Sequence, residues 1–299
     1  MANIFPPFDP DESPRRRRVR QLRSIPLRQI IPNLVTLVAL CAGLTSIRMS
    51  IELRFDAAIA AIAIAAFLDG IDGRVARFLK STSRFGAELD SLTDFISFGV
   101  APAVLLYVCA LDEMRSLGWI AVLIFAICAA LRLARFNVAI DAPGRPEWQA
   151  NYFVGIPAPA GAMISLLPIY IEFVGAPHGF LTAPLVLIYT VAIGLLMVSR
   201  VPTWSGKLIG RRIPREMVLP IFVLFVLFFA LLLSFPFETM AICTLLYLGC
   251  LPASWTTYHR HMATDTGHAE AGPDNGDDPA NGDDPFDGDE NGEANRPPD

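Results

Sequence analysis

Long apolar blocks alternate with short polar connections over most of this chain. Each block has roughly 18 to 22 residues, and an α-helix of that length crosses about 30 Å of hydrocarbon. The pattern therefore predicts an all-α integral membrane protein with about eight transmembrane helices. We place these helices at approximately residues 30–49, 57–79, 91–110, 117–138, 155–174, 181–199, 217–235 and 239–258.

The composition favours a bilayer over water as the surroundings, because hydrophobic residues make up 53% of the 299 residues. One soluble core could not cover that much apolar surface without leaving large exposed patches. The five cysteines all lie in predicted helices and lack the paired spacing of metal or redox sites. We interpret them as small buried apolar residues.

Arginine and lysine are concentrated in alternate connections, before the first predicted helix and after the second, fourth and sixth. Because cytosolic loops carry the excess of these residues, both ends of the chain are predicted to be cytosolic. This topology predicts a multi-pass protein of the inner cell membrane. The net charge of −5 averages a basic beginning with an acidic end, so it does not indicate a nucleic-acid partner.

The chain divides into four predicted regions. A basic cytosolic arm occupies residues 1–28, and a six-helix core follows over residues 29–199. Residues 200–261 contain a cytosolic loop and two further transmembrane helices. The acidic tail, residues 262–299, has too few apolar residues to offset its chain entropy, so we predict that it is disordered.

Four aspartates lie close together where the second predicted helix ends and the third begins. An ionised side chain inside a membrane helix costs on the order of 3 kcal/mol, so such residues need a function. Asp69 and Asp72 are separated by one helical turn, as are Asp90 and Asp94, which puts each pair on one helical face. The turn between the helices is short, so the two acidic faces can meet.

Four converging carboxylates would repel one another unless a divalent cation compensated their charge. All-oxygen ligation suits magnesium or manganese, so the sequence predicts a metal site here. Arg74 and Arg77 lie on the same segment, and their forked donors suit phosphate oxygens. Gly73 and Gly86 lack side chains and let a ligand or a neighbouring helix approach the backbone. Together these residues indicate a diphosphate substrate.

Residues 69–94 resemble the signature of the CDP-alcohol phosphotransferase family, D-x-x-D-G-x-x-A-R-x8-G-x-x-x-D-x-x-x-D. The sequence matches this signature at all eight fixed positions. The similarity extends upstream to Pro32-Asn33-Leu34-Val35-Thr36 and covers roughly residues 29–199. It implies the six-helix membrane core of that family and transfer of a phosphate-bearing group from a CDP-alcohol to an acceptor hydroxyl.

The resemblance also implies roles for individual residues. It implies two bound metal ions, Mg²⁺ or Mn²⁺, with Asp69, Asp72, Asp90 and Asp94 as their ligands. Asp94 is further implied to be the general base. The CDP moiety is implied to lie against Asn33, Thr36, Gly73, Arg77 and Ser83. Members of the family are typically homodimers, so a homodimer is expected.

Several segments outside the aspartate motif are similar to the bacterial membrane-integral phosphatidylserine synthases, a branch of this family. They are residues 131–137, residues 153–160 and the two helices beyond the sixth. The branch implies transfer of the phosphatidyl group from CDP-diacylglycerol to L-serine, with release of CMP. Arg132 and Arg135 share a helical face and could hold the serine carboxylate, with Asn137 adding an amide. They could equally be cytosolic anchors of the helix.

Other interpretations of the same residues stay open. The same chemistry could use glycerol 3-phosphate, inositol phosphate or choline as the acceptor, although a phosphorylated acceptor would need a more basic pocket. A divalent-cation transporter also carries acids inside its helices. In a transporter, however, the acids would be spread across the membrane depth.

Overall fold

The computed structural model describes most of the predicted helical chain and a short β-ribbon. The described residues are 27–79, 83–140, 152–177, 182–199, 201–204 and 215–270. The predicted basic arm lies outside them apart from its last two residues, and so does most of the predicted acidic tail. The described part of the chain is predominantly helical, which confirms the all-α membrane fold.

Each predicted transmembrane segment coincides with helical structure. The helices are α1 (Leu27–Ile51), α2 (Phe55–Phe78), α3 (Arg84–Asp94), α4 (Ala101–Leu106), α5 (Ser116–Ile140), α6 (Ala158–Ser165), α7 (Leu167–Phe173), α8 (Ala183–Val198), α9 (Arg215–Ser234) and α10 (Pro236–Glu270). Five helical stretches of the described chain are long and apolar enough to cross a membrane: Ile30–Ile51, Arg84–Met114, Ser116–Val138, Glu216–Ser234 and Pro236–Thr257. The count of eight crossings stays a prediction.

The third predicted helix is longer and less regular than the sequence pattern indicated. It runs from α3 through π-helical turns at Phe95–Val100 and Tyr107–Leu111, which flank α4. Pro102 lies in the first turn of α4, has no backbone N–H and crowds the carbonyl of the preceding turn. The wider turn that precedes it accommodates this residue. The helix thereby continues without a break from Asp94 into the membrane.

The fifth predicted helix is divided into α6 and α7 at Leu166. Pro168 cannot donate a backbone hydrogen bond to the Ile164 carbonyl one turn earlier, so the regular helix stops there. The Tyr189 hydroxyl of α8 donates to this Ile164 oxygen at 2.7 Å. A side chain of a neighbouring helix thus satisfies the carbonyl that the proline leaves free.

Close helix packing builds the core around α5, α6 and α8. The first helix lies along α2 and against α3, and α5 lies along α8. Gly194 of α8 approaches the backbone of Phe125, and Gly161 of α6 lies against the Met197 side chain, so a methyl group at either glycine would crowd its neighbour. Small residues at these crossings allow the helices to approach closely, as is common between membrane helices.

A two-stranded antiparallel ribbon joins the segments that follow α5 and α8. Its strands are β1 (Tyr152–Val154) and β2 (Pro202–Trp204). Gly155, with a φ of 78°, continues the pairing by donating to the Val201 carbonyl at 2.8 Å. The positive φ explains why a glycine stands at this position.

The two C-terminal helices differ in their burial. The apolar stretch of α9 buries none of its residues within the described structure, whereas that of α10 is 22% buried. The last helix continues to Glu270, so the first residues of the predicted acidic tail are helical rather than disordered. Backbone hydrogen bonding continues there because no proline follows Pro252 before Gly272-Pro273. The described chain divides into two units at Thr256, and the candidate site lies in the first.

Candidate active site

The last three turns of α2 carry the first half of the acidic cluster. Asp72 is buried and Asp69, one turn earlier, is half-buried. Gly73 is exposed, and a methyl group added to it would meet no atom within 4 Å. Arg77 is exposed and folds back, with its Nε donating to the Gly73 carbonyl at 3.0 Å. The helix therefore follows its carboxylates with a glycine that faces open space and an arginine one turn further on.

The helix α3 carries the second half, in its middle and at its last residue. Ser83 is the N-cap residue, and its hydroxyl accepts a hydrogen bond from the Gly86 N–H at 3.0 Å. This cap fixes the start of the helix and therefore the face on which the later acids lie. Asp90 and Asp94 follow on that face, both half-buried.

The two helices bring the predicted acidic residues together. Carboxylate oxygens of Asp69, Asp72 and Asp90 all lie within 4.8 Å of one another. Asp94 is not one of this set of three, but Asp69 and Asp90 are its strongest electrostatic neighbours. Its Oδ1 atom is fully buried and has no hydrogen-bond partner among the described residues. The four carboxylates are therefore grouped in one place rather than spread along the helices.

The first helix supports the cluster from one side. The Thr36 hydroxyl lies 2.8 Å from Oδ2 of Asp72 and 3.1 Å from the Pro32 carbonyl oxygen, and its single proton can serve one of them at a time. Asn33 reaches α3, because a methyl group on Gly86 would lie 2.9 Å from its Oδ1 atom. The sequence motif did not reveal that Thr36 orients an acid of the cluster.

The donor set fits a divalent cation. Among the described residues the one ion pair is between Arg48 and Glu52 of α1, so none of the four aspartates is paired directly with a basic side chain. Carboxylate oxygens at this separation repel one another, and hard cations prefer oxygen ligands of this kind. The family resemblance and the acidic cluster together support a divalent-metal site at Asp69, Asp72 and Asp90.

The two arginines predicted to hold the acceptor occupy different environments on α5. Arg132 is buried, with 9% of its surface exposed, and its Nε has no hydrogen-bond partner in the described structure. Its guanidinium lies 5.9 Å from the centre of the Phe136 ring and interacts with Asp94. Arg135 is exposed and donates to the Val198 carbonyl at 2.6 Å, at the C-terminus of α8. Arg132 is thus a buried cation within electrostatic range of Asp94, whereas Arg135 caps a helix end.

Asn137 connects α5 to α3. Its amide nitrogen donates to the Ser91 hydroxyl of α3 at 2.8 Å, and that hydroxyl lies 3.0 Å from the Ala87 carbonyl. One of the two amide protons is therefore used to hold α5 against α3. This contact helps to keep Arg132, on the same helix, in register with Asp94.

The structure adds neighbours of Arg132 that the sequence did not single out. Tyr247 of α10 and Thr203 of β2 both lie on this side of the site, and Tyr247 interacts with both Thr203 and Arg132. More than a hundred residues separate Tyr247 from Arg132, and in the sequence Tyr247 resembles any aromatic residue of an apolar helix. Without the packing of α10, nothing in the sequence connects the two.

Comparisons with known proteins agree with the motif. A family model described as CDP-alcohol phosphatidyltransferase matches residues 29–196. A second one, described as CDP-alcohol phosphatidyltransferase 2, matches residues 216–252. The first match covers α1 to α8 up to the last turn of α8, and the second covers α9 and the part of α10 that contains Tyr247.

Several relatives of the chain share the name CDP-diacylglycerol–serine O-phosphatidyltransferase. The Mycobacterium leprae (strain TN) protein is 42% identical over 238 residues, 79% of this chain and 77% of the relative. The Mycobacterium tuberculosis (strain ATCC 25618 / H37Rv) protein is 46% identical over 177 residues, 58% of this chain and 60% of the relative. The Helicobacter pylori (strain ATCC 700392 / 26695) protein is 33% identical over 222 residues, 73% of this chain and 88% of the relative.

Proposed function

The chain belongs to the CDP-alcohol phosphatidyltransferase family, and from this premise we propose that it transfers the phosphatidyl group of CDP-diacylglycerol to L-serine. The products are phosphatidylserine and CMP. The relatives named above support serine as the acceptor, and the acidic cluster at the end of α2 supports the reaction class.

One structural observation, the environment of Arg132, supports serine as the acceptor. Arg132 is a buried cation whose Nε has no hydrogen-bond partner among the described residues, and it lies beside Asp94. A carboxylate is the ligand that satisfies such a guanidinium, because charge and fork geometry both match. A serine molecule held by its carboxylate on Arg132 has its hydroxyl within the same small site as Asp94.

The chemistry follows from these positions. Asp94 accepts the proton of the serine hydroxyl, with its buried Oδ1 as the receiving atom. The serine oxygen then forms a bond to the phosphorus that carries the diacylglycerol, and the bond from that phosphorus to the oxygen of CMP breaks. CMP leaves with the bonding electrons, so that charge and atoms balance. Asp94 later releases its proton to water.

The acids of α2 and α3 would hold the metal. We assign Asp69, Asp72, Asp90 and Asp94 to two ions of magnesium or manganese, with Thr36 orienting Asp72 through its 2.8 Å contact. When bound, the ions would neutralise the diphosphate and stabilise the charge that develops on the leaving CMP phosphate. The carboxylates of Asp69, Asp72 and Asp90 would keep the ions close to Asp94.

The nucleotide end of the substrate would lie on the open side of α2. Gly73 leaves space for it, and the exposed Arg77 offers its free N–H groups to phosphate oxygens. Asn33 and Ser83 border the same space from α1 and the start of α3, around Gly86. The acyl chains would stay among lipids, since the surrounding helices are apolar.

The organisation of the whole chain is part of the same proposal. The protein is a multi-pass membrane protein, and the charge pattern of its loops supports an inner-membrane location with both ends in the cytosol. Residues 29–199 form the catalytic core, residues 200–261 add a loop and two helices, and residues 1–28 and 262–299 flank them. A homodimer is proposed by family resemblance, and the mass of the purified protein in detergent tests it.

CMP release from the purified full-length protein tests the reaction. CDP-diacylglycerol is supplied with L-serine, glycerol 3-phosphate, inositol phosphate or choline, each with and without magnesium or manganese. We expect CMP release with serine and a divalent ion. Full activity in excess chelator would contradict the metal site, and release with glycerol 3-phosphate alone would contradict the acceptor while leaving the reaction class.

A cation-transport function predicts a different experimental result. It would produce divalent-ion flux across vesicles that contain the protein and no substrate. The grouping of the four acids at one end of α2 and α3 argues against such a pathway, because an ion path needs ligands along the membrane depth.

A further inference from the structure

The last helix is fastened to the site region through the β-ribbon. The Thr203 hydroxyl of β2 donates to the Gly155 carbonyl at 3.0 Å. Ser254 of α10 is buried and donates to the Pro202 carbonyl of the same strand at 2.8 Å. The first bond stabilises the ribbon itself, and the Ser254 bond ties α10 to it, although α10 lies outside the six-helix core.

This attachment brings one polar group of α10 to Arg132. Tyr247 lies two helical turns before Ser254 and thus on the same face of α10. Its hydroxyl is buried and lies beside the Thr203 side chain, whose own proton goes to the Gly155 carbonyl. It forms no hydrogen bond of regular geometry within the described residues and is within electrostatic range of Arg132. A buried hydroxyl without a partner destabilises a structure unless a ligand or water supplies the missing bond.

Three buried polar atoms without a regular hydrogen bond belong to this part of the site, with Arg132 in electrostatic range of the other two residues. They are Nε of Arg132, the hydroxyl of Tyr247 and Oδ1 of Asp94. Two of them can donate a hydrogen bond and one can accept. An acceptor molecule with a carboxylate at one end and a hydroxyl at the other complements all three, because the donors face the carboxylate and Asp94 faces the hydroxyl.

We propose that Tyr247 is an acceptor-binding residue, which donates its hydroxyl proton to the carboxylate that Arg132 holds. The proposal rests on the function proposed above and extends it to a helix beyond the six-helix core. It also gives α10 a role in choosing the acceptor. The match of residues 216–252 to a family model of the same description is consistent with such a role.

A second buried tyrosine provides a control for the loss of an unpaired hydroxyl. Tyr170 of α7 is fully buried and, like Tyr247, has a hydroxyl without a partner among the described residues. Its electrostatic neighbour is Tyr189, and no arginine or aspartate of the site acts on it. Removing the Tyr170 hydroxyl thus repeats the chemical change of Tyr247→Phe away from the acceptor.

The experiment measures CMP release from the full-length protein in detergent at increasing L-serine, for wild type, Tyr247→Phe and Tyr170→Phe. A hydrogen bond to a charged group predicts that Tyr247→Phe raises the KM for serine roughly tenfold. The KM for CDP-diacylglycerol and kcat at saturating serine should change less than about twofold. All three parameters should stay near wild type in Tyr170→Phe, and the retained CDP-diacylglycerol KM reports correct folding.

A second measurement tests whether the two donors act on one group. If Arg132 and Tyr247 hold the same carboxylate, Arg132→Lys combined with Tyr247→Phe raises the serine KM by less than the product of the single effects. A multiplicative result would overturn the shared carboxylate. An unchanged serine KM in Tyr247→Phe, or equal shifts in both tyrosine variants, would overturn the proposal while the reaction stands. Wild-type protein that released no CMP with serine would instead refute the proposed function, and the proposal with it.

Discussion

Two regions of the molecule differ in the kind of residue that they place in the membrane. One is the acidic cluster of α2 and α3, and the other is the helix α9. Four aspartates meet in the first region, with Gly73 beside open space. The second is apolar on every side, and none of its membrane stretch is buried. Lipid tails are about as apolar as leucine, so apolar residues of α9 are interchangeable, whereas a polar residue in a membrane helix is costly wherever it has no function.

This contrast teaches that substitutions should be ranked by the polar contacts they remove and not by the hydrophobic area they change. The acid cluster depends on single atoms, as the 2.8 Å contact of Thr36 with Asp72 illustrates. In α9, side chains such as Phe222 and Leu224 are about two-thirds exposed within the described structure (66% each). Substitutions in the two regions test this ranking.

The largest effect is expected for Asp94→Asn. An amide cannot take the serine proton, so turnover should fall by 10²–10⁴-fold or more, the usual worth of a general base. Binding of CDP-diacylglycerol should largely persist, because Asp69, Asp72 and Asp90 still form the metal cluster. CMP release measures the first effect and equilibrium binding of the lipid substrate measures the second.

Two further variants complete this test. Asp69→Asn should weaken metal and nucleotide binding together, since this carboxylate belongs to the set within 4.8 Å. Asp56→Asn changes an exposed acid in the first turn of the same helix and should leave activity unchanged. Indistinguishable binding by the Asp69 and Asp94 variants would contradict the division of roles.

The next effect separates two arginines one helical turn apart. Arg132→Ala removes a buried cation beside Asp94, and loss of a charge-assisted hydrogen bond of about 1.5–3 kcal/mol should lower the apparent serine affinity ten- to a hundredfold. Arg135→Ala removes a cap on the Val198 carbonyl and should change serine affinity much less. Kinetics at increasing serine compare the two.

The opposite outcome is informative as well. If the Arg132 variant kept its serine affinity and lost affinity for CDP-diacylglycerol, Arg132 would belong to the phosphate site. If the Arg135 variant lost serine affinity to the same extent, the burial of Arg132 would not determine the acceptor site.

A smaller effect is expected from adding one methyl group to α2. Gly70 and Gly73 are both exposed, and an added Cβ at either meets no atom within 4 Å, so alanine at either position should stabilise the helix by roughly 0.5–1 kcal/mol. If the nucleotide lies against Gly73, only Gly73→Ala should raise the KM for CDP-diacylglycerol, by a few-fold. Equal KM values in the two variants would place the nucleotide elsewhere.

The sequence predicted the acidic site better than it predicted its surroundings. The spacing of the aspartates was sufficient because helical geometry converts spacing directly into a shared face, as Asp90 and Asp94 illustrate. Helix ends and breaks depend on individual tertiary contacts. The division at Leu166 needs Pro168 and is stabilised by the Tyr189 hydroxyl of a different helix, which no local pattern contains.

The surroundings of Arg132 show the same limit. Its three-residue spacing from Arg135 suggested equal roles, yet one lies beside the acids and the other caps α8. The difference comes from the helices packed against each arginine. Tyr247 was not predicted for the same reason, because its relation to Arg132 exists only through the packing of α10 on β2.

The smallest effect is expected on α9. Phe222→Ala shortens a side chain that is 66% exposed in the described structure, so the free energy of unfolding should change by no more than about 0.5 kcal/mol and CMP release should not change. Phe98→Ala, directly after the acids, empties a fully buried position and should cost roughly 3–5 kcal/mol.

Thermal unfolding of both phenylalanine variants in detergent, with activity measured on the same samples, compares the two positions. A loss of stability in Phe222→Ala as large as that in Phe98→Ala would show that α9 packs against a protein surface beyond the described residues. Detergent mass measurements of wild type and Phe222→Ala would then identify that surface as a second copy of the chain, if the variant had the smaller mass. Since lipid imposes no shape on the side chains that it contacts, an α9 that faces only lipid has no reason to prefer phenylalanine at this position.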